Sequence, residues 1–438
     1  MQFNTDKQTI EELNLLAKFR QGSVYHLFNR VRTRGGEQLL DNMFRYPLTD
    51  AVAINDRSSI FRFHQNARLA FPFDVQQVNL MQEYLDSGTS RNTVLVWGRT
   101  VLKKLLSSLT RDERYKKMVQ GLQATIVTLN KCYIFVNSMP HPEFPYAERV
   151  SAIKAILSDK LIERLYNTDI YQALPLQLLA MYDHLLKGRL HEQLEDILAF
   201  IYESDVHIAV SEVALDKGFG YAKALSAPEN VFMAEGLRHP NLDGAVGNNL
   251  LLDKNSNMIF LTGANMAGKS TLMKSVGIGM YLAHMGFPVA ASRLEFSVRE
   301  GMYSSINVAD NIGLGYSHFY AEVVRVKQAA EAAASGKSLL LMFDELFKGT
   351  NVKDAYDGTL AVIEGFADYT QCLFIVSTHI IEVGASLEGL HNIQFRYMPT
   401  IMDGHRPQYP YQLKEGVTED RQGMMIIRNE GVLELLEQ

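Results

Sequence analysis

The stretch TGANMAGKST, residues 262–271, decides how the chain is read. Gly263, Gly268, Lys269 and Ser270 satisfy the pattern G-x-x-x-x-G-K-[ST]. The apolar run Met258–Thr262 before it reads as a strand, and a helical pattern opens at Lys269. Strand, glycine-rich turn and helix form the setting in which the backbone N–H groups of residues 264–270 wrap phosphates. The positive end of the helix would support them. Lys269 is placed to reach β- and γ-phosphates, and the Ser270 hydroxyl to ligate Mg²⁺. The plain alternative is a glycine-rich turn with no ligand.

Two further pieces follow in the right order. LLLMFDELFKGTN, residues 339–351, ends an apolar run in the adjacent carboxylates Asp344 and Glu345. Paired acids at a buried strand end are costly unless they meet a cation. Asp344 is therefore expected to hold the Mg²⁺ shell, and Glu345 to orient or deprotonate an attacking water. Ser377-Thr378-His379 directly follows the apolar run CLFIV. A histidine at the carboxyl end of such a strand is positioned to sense a γ-phosphate, although a lone histidine is more often structural. Together the three pieces predict ATP binding, with Glu345 and His379 as the catalytic pair.

The chain has 438 residues, enough for two or three domains with sizeable cores. Its net charge of −6 does not advertise nucleic-acid binding, but the charge is uneven. Residues 1–225 carry 27 Lys+Arg against 25 Asp+Glu, and the remainder 16 against 24. The segment Arg91–Lys117 holds eight basic and two acidic residues, which suits either a phosphate-facing strip or a solvated helix face. The two cysteines, Cys132 and Cys372, lack metal-site spacing and suggest a reducing compartment. No signal-peptide pattern opens the chain, and the apolar run Ser275–Ala291 fits a packed helix better than a membrane span. The expectation is a cytoplasmic protein.

Along the chain, Met118, Leu122, Ile126, Leu129 and Tyr133 fall at helical spacing, as do Leu194, Ile197, Leu198 and Ile201. SMPHPEFPY, residues 138–146, breaks the helices with three prolines. Beyond about residue 230, apolar runs at Ser338–Phe343 and Cys372–Ser377 alternate with a helical pattern at Asp354–Ala367. That alternation implies a mostly parallel sheet covered on both faces. The expected architecture is multidomain: an all-helical domain over 1–225, then an α/β ATPase domain over 226–438.

These pieces resemble the MutS mismatch-repair ATPases, a branch of the ABC-type P-loop ATPases. The family's TGPNMGGKST is similar to TGANMAGKST, its RHPxL to Arg238–Leu242, its DEL/IGRGT to Asp344–Thr350, and its ATH or STH to Ser377–His379. Its STFMVEM segment resembles Ser317–Glu322. Its lever-opening run resembles Arg34–Leu40, Pro47–Asp50 and Ile54–Arg57. The likeness is strong over 23–63 and 236–380 and weak over 64–220. Ala264 and Ala267 replace the usual Pro and Gly, and Phe347-Lys348 replaces Gly-Arg.

The resemblance implies a nucleotide site made of Gly263, Ala264, Asn265, Met266, Ala267, Gly268, Lys269, Ser270, Thr271, Asp344 and His239. Ser317 would complete the site of a partner subunit, so a homodimer is implied. Residues 1–225 would be the helical core and lever domain, with the clamp short or absent. The only Phe-x-Glu is Phe343-Asp344-Glu345, so a mismatch-reading wedge is not expected. The implied output is ATP-driven movement of levers on DNA of particular structure, with no membrane role. The rival is an ATP-gated protein-binding switch with no DNA substrate.

Overall fold

The computed structural model describes residues 3–18, 20–87, 113–169, 175–306, 318–403, 406–418 and 435. It divides into two compact units: Met1–Phe28, Phe44–Ser58 and Val213–Gln438 form one, and Asn29–Met43 with Ser59–Glu212 the other.

The first unit is built on a seven-stranded sheet. The strand order is Asn4–Thr5, Gly301–Ser305, Leu339–Asp344, Leu373–Ser377, Met258–Gly263, Ile393–Met398, Lys414–Glu415. Every pairing is parallel except the last. The central strands are buried almost throughout, with helices packed against them, and so they read as unbroken apolar runs. Val326, Ala329 and Ala333 of the His318–Ala334 helix and Ile363 and Phe366 of the Val352–Ala367 helix share one core with Leu339, Leu341, Phe343 and Phe374. A smaller four-stranded sheet joins Lys223–Leu225, Arg293–Ser297, Phe232–Leu237 and Asn248–Leu252.

The Lys269–His284 helix contacts strands of both sheets, which explains why it is buried nearly all round. Its Gly277 permits the close fit: a Cβ there would lie 2.7 Å from Met342 Cε and 2.8 Å from Leu13 Cδ1. Among the described residues no helix is long and apolar enough to cross a membrane.

The edge strand Asn4–Thr5 is secured by side chains. Asp6 caps the Lys7–Glu12 helix through Thr9 N at 3.1 Å and pairs with Arg325, whose side chain is 4 % exposed. Arg325 also donates to Ser304 O and Thr9 Oγ1, and Glu12 accepts from Ser304 Oγ and Ile306 N. Burial pushes the Asp6 carboxyl up, but the bonds and charge of Arg325 and Thr9 outweigh it and leave it below the usual carboxylate range.

The second unit is helical. The Val75–Asp86 and Glu113–Ser138 helices approach so closely that a Cβ on Gly121 would meet Tyr84 Cβ at 2.5 Å. Tyr84 donates to Asp183 Oδ1 at 2.8 Å, and Lys187 closes the buried pair with Asp183 at 3.1 Å. Thr33 caps the Arg34–Arg45 helix through Gly36 N, and Asp205 fixes that cap by accepting from Thr33 N and Oγ1 at 2.7 Å. The proline-rich 138–146 segment is indeed the break between the Glu113–Ser138 and Tyr146–Leu157 helices. The expected runs Met118–Tyr133 and Leu194–Ile201 lie inside single helices.

The mixed helical and α/β character and the mostly parallel sheet are as the sequence predicted. The expected strands and helices fall at Met258–Gly263, Leu339–Asp344, Leu373–Ser377, Lys269–His284 and Val352–Ala367, within a residue or two of their sequence positions.

Candidate functional site

The Met258–Gly263 strand ends at the carboxyl edge of the sheet and turns sharply into the Lys269–His284 helix. Gly263 (φ +145°), Met266 (φ +70°) and Gly268 (φ +103°) take up the turn. A Cβ on Gly263 would meet Met398 O at 2.8 Å, so the backbones of adjacent strands need glycine there. Ala267 is fully buried and outside the left-handed region, so its methyl is accommodated without strain. Met266 takes the left-handed position and is 78 % exposed. Gly268 is the N-cap, which leaves the first N–H groups of the helix facing the turn.

A cavity of about 560 Å³ opens at this point. Residues 264–266 and 268–271 line it from the turn and first helical residues, His239 and Glu345 from other segments. Lys269 is buried and folds back so that Nζ donates to Gly263 O at 2.9 Å and Ala264 O at 3.2 Å. Burial lowers its pKa, against the opposing pull of Asp344 and Glu345. His239 also reaches the cavity, with Nδ1 accepting from Asn241 N at 3.3 Å. Its pKa is lowered by burial and by the charge of Lys274.

Ser270 Oγ donates to Asp344 Oδ2, while the other oxygen, Oδ1, is buried with no hydrogen-bond partner. A hydroxyl beside a carboxylate with an orphaned oxygen suits a hard cation. Among the described residues no group of three His, Cys, Asp or Glu could hold a metal alone. The pair therefore fits Mg²⁺ in the manner usual for that ion, with water and substrate oxygens completing the shell.

Glu345 follows the last residue of the Leu339–Asp344 strand, and its N–H continues the ladder to Ser377 O at 2.8 Å. Its φ of +55° turns the side chain out of the strand's alternation. His379 Nε2 lies 2.5 Å from Glu345 Oε1, and Lys348 Nζ lies 3.6 Å from Oε2. The hydrogen bond from His379 is the main cause that pulls the Glu345 carboxyl down to about 2, although burial works against it.

Every predicted loop residue, Asp344, Glu345, His379 and His239 thus gathers at one sheet edge. Ser317 and residues 91–112 of the basic segment lie outside the described residues; Lys116 and Lys117 are exposed on the Glu113–Ser138 helix. Met398, Asn248 and Tyr411 were not anticipated: their segments carry no motif, and only the order of the strands brings Met398 and Tyr411 to the cavity. Lys348 lies within the Asp344–Thr350 motif, but its ion pair with Glu345 was not anticipated.

A family model described as MutS domain V matches residues 259–435. The DNA mismatch repair protein MutS of Geobacillus thermodenitrificans is 28 % identical over 249 residues, covering 55 % of this chain and 27 % of that protein. MutS of Anaplasma phagocytophilum is 31 % identical over 216 residues, 48 % of this chain and 26 % of that protein. The DNA mismatch repair protein spellchecker 1 of Drosophila melanogaster is 29 % identical over 212 residues, 47 % and 23 %. The chain spans about a quarter of the length of these curated relatives. With a MutS domain V across the sheet that builds the site, and MutS proteins similar to about half its length, the chain is a MutS-related protein.

Proposed function

We propose that this chain is an ABC-type P-loop ATPase that binds ATP with Mg²⁺ in the cavity at the sheet edge and hydrolyses it. The observation that carries the reading is the convergence, around one glycine-rich turn, of the buried Lys269, the Ser270–Asp344 pair and Glu345. The N–H groups of residues 264–270 cradle the phosphates. Lys269 exchanges the loop carbonyls for β- and γ-phosphate oxygens, a change that suits a buried ammonium. Ser270 and Asp344 would hold Mg²⁺, which supplies charge neutralisation to the phosphates.

Glu345, held ionised by His379, orients the attacking water. A carboxylate of such low basicity serves better to position water than to take its proton early. The names of the relatives support a role on DNA. In this reading two copies share each nucleotide, Ser317 of one completing the site of the other. The unit built on the seven-stranded sheet acts as the ATPase domain, and the helical unit, Asn29–Met43 with Ser59–Glu212, as the lever domain. ATP binding and hydrolysis bias the levers between two states, and the load is DNA recognised by structure.

The net charge of −6 favours a second reading, an ATP-gated switch that grips a protein. ATP turnover by the purified protein at one moderate salt, with homoduplex, mismatched, branched and single-stranded DNA, separates the two. Stimulation by one DNA structure supports the first reading, and indifference to every DNA supports the second. Lys269→Ala should abolish ATP binding in calorimetry; retained binding would overturn the nucleotide site.

A further inference from the structure

We propose that Phe347 is a positioning residue for hydrolysis: its buried ring anchors the turn that follows the Leu339–Asp344 strand and thereby fixes where Glu345 presents its carboxylate. The inference rests on the ATPase reading above. Glu345 has φ +55° and Phe347 has φ +61°. The left-handed region suits glycine, and a bulky side chain stays in it only where its surroundings compensate. Two such residues within three positions make a turn whose path is set by tertiary packing and not by local preference.

The compensation comes from two helices. Phe347 is 6 % exposed and belongs to the core that holds Phe343 and Phe374. Its ring meets Phe319 of the His318–Ala334 helix edge to face, with centroids 5.9 Å apart. Gly358 of the Val352–Ala367 helix makes room for it: a Cβ there would lie 3.1 Å from Phe347 Cδ2. Gly349 does the same for the other ring's backbone, since a Cβ would lie 3.0 Å from Phe319 N. Leu346 is buried too, and its O accepts from Thr359 Oγ1 at 3.4 Å. His379 and Lys348 each touch one oxygen of Glu345, but they can hold the carboxylate only where the backbone puts it. Of the described residues that line the cavity, Glu345 is one and Phe347 is not, so Phe347 acts on turnover through Glu345. Misplacing a reacting group by about 1 Å can cost on the order of 100-fold in rate.

The test measures phosphate release and calorimetric Mg·ATP binding for Phe347→Gly and Phe347→Leu, each in the wild type and in Glu345→Gln. In the wild-type background kcat should fall about tenfold or more in Phe347→Gly and about threefold in Phe347→Leu, which refills part of the slot, while the ATP Kd stays within about threefold. In Glu345→Gln the same changes should lower the residual turnover by less than about twofold, because the group they misplace is already disabled. Wild-type kcat in both variants would overturn the inference. So would an ATP Kd that weakens in step with kcat, or an undiminished loss in Glu345→Gln, because Phe347 would then only maintain the core. If Phe347→Gly does not fold, Phe347→Leu in the two backgrounds decides. A wild type that neither binds nor hydrolyses ATP would overturn the ATPase reading and this inference with it. Turnover that is lost in Glu345→Gln keeps that reading whatever the Phe347 variants do.

Discussion

His379 Nε2 and Glu345 Oε1 lie 2.5 Å apart, although 34 residues separate them in the chain. The contact exists because the Leu339–Asp344 and Leu373–Ser377 strands are parallel neighbours in register, with Asp344 opposite Ser377. Each residue then sits just beyond the end of its own strand, on the same edge of the sheet. The histidine holds the carboxylate ionised and aimed.

Glu345→Gln keeps the shape and removes the charge. We expect ATP affinity within about threefold of wild type and turnover reduced by about 10²-fold or more. The variant should accumulate as an ATP-bound dimer in light scattering. His379→Ala should also slow turnover, since Glu345 loses its orienting partner. Because Glu345 titrates near 2, its protonation should not limit turnover at any pH above about 4. Wild-type turnover in Glu345→Gln, measured by phosphate release, would remove Glu345 from the mechanism.

Asp6 and Arg325 fasten the edge strand. Asp6→Ala leaves the Arg325 guanidinium buried without its charge partner and should destabilise the protein by about 2–3 kcal/mol. The figure is set toward the low end because Asp6 is partly open to solvent. Equilibrium urea unfolding reads the difference, and a loss under about 0.5 kcal/mol would show the pair to be dispensable. Arg325→Ala together with Asp6→Ala should cost less than the two single changes added.

His284 gives the fold a pH dependence of known sign. Its Nδ1 donates to Leu48 O at 2.7 Å and its Nε2 accepts from Arg299 N at 3.2 Å, so the neutral ring is held at both nitrogens. Burial first, against the Leu48 bond, and then the nearby Arg299 charge bring its pKa down to about 3. The unfolded histidine titrates near 6.5, so below that pH the unfolded chain binds the extra proton. Stability is therefore full above 6.5 and falls as pH drops toward 3, by about 2 kcal/mol between pH 6.5 and 5 from this group. His64, brought down to about 4 by burial, adds to the same trend. His284→Asn should flatten the profile in urea unfolding at pH 7.5, 6.5 and 5; an unchanged slope would assign the effect elsewhere.

Much of the site was legible from local chemistry. A phosphate-binding turn needs glycine at positions whose backbone is left-handed or tightly approached, and Gly263 and Gly268 meet both needs. Apolar runs that end in Asp344-Glu345 and Ser377-Thr378-His379 mark strand ends on one edge, because a fully covered parallel strand must be apolar until it emerges. Alternation of strands and helices gave the α/β character for the same reason.

Other features were decided only when distant segments met. Asn4–Thr5 is too short to show any periodicity, and it is a strand because Gly301–Ser305 offered an open edge and Arg325 a buried charge for Asp6. Lys269 reads as a phosphate ligand in sequence, but its hydrogen bonds to its own loop follow from burial. Tyr411 belongs to no motif. It reaches Gly268 because the chain leaves the Ile393–Met398 strand beside the loop and Asn248 holds its return. Residue type and spacing determine chemistry that a few consecutive positions can satisfy alone. Pairing across the sheet determines the rest, since a hydrogen bond between residues far apart depends on which strands become neighbours.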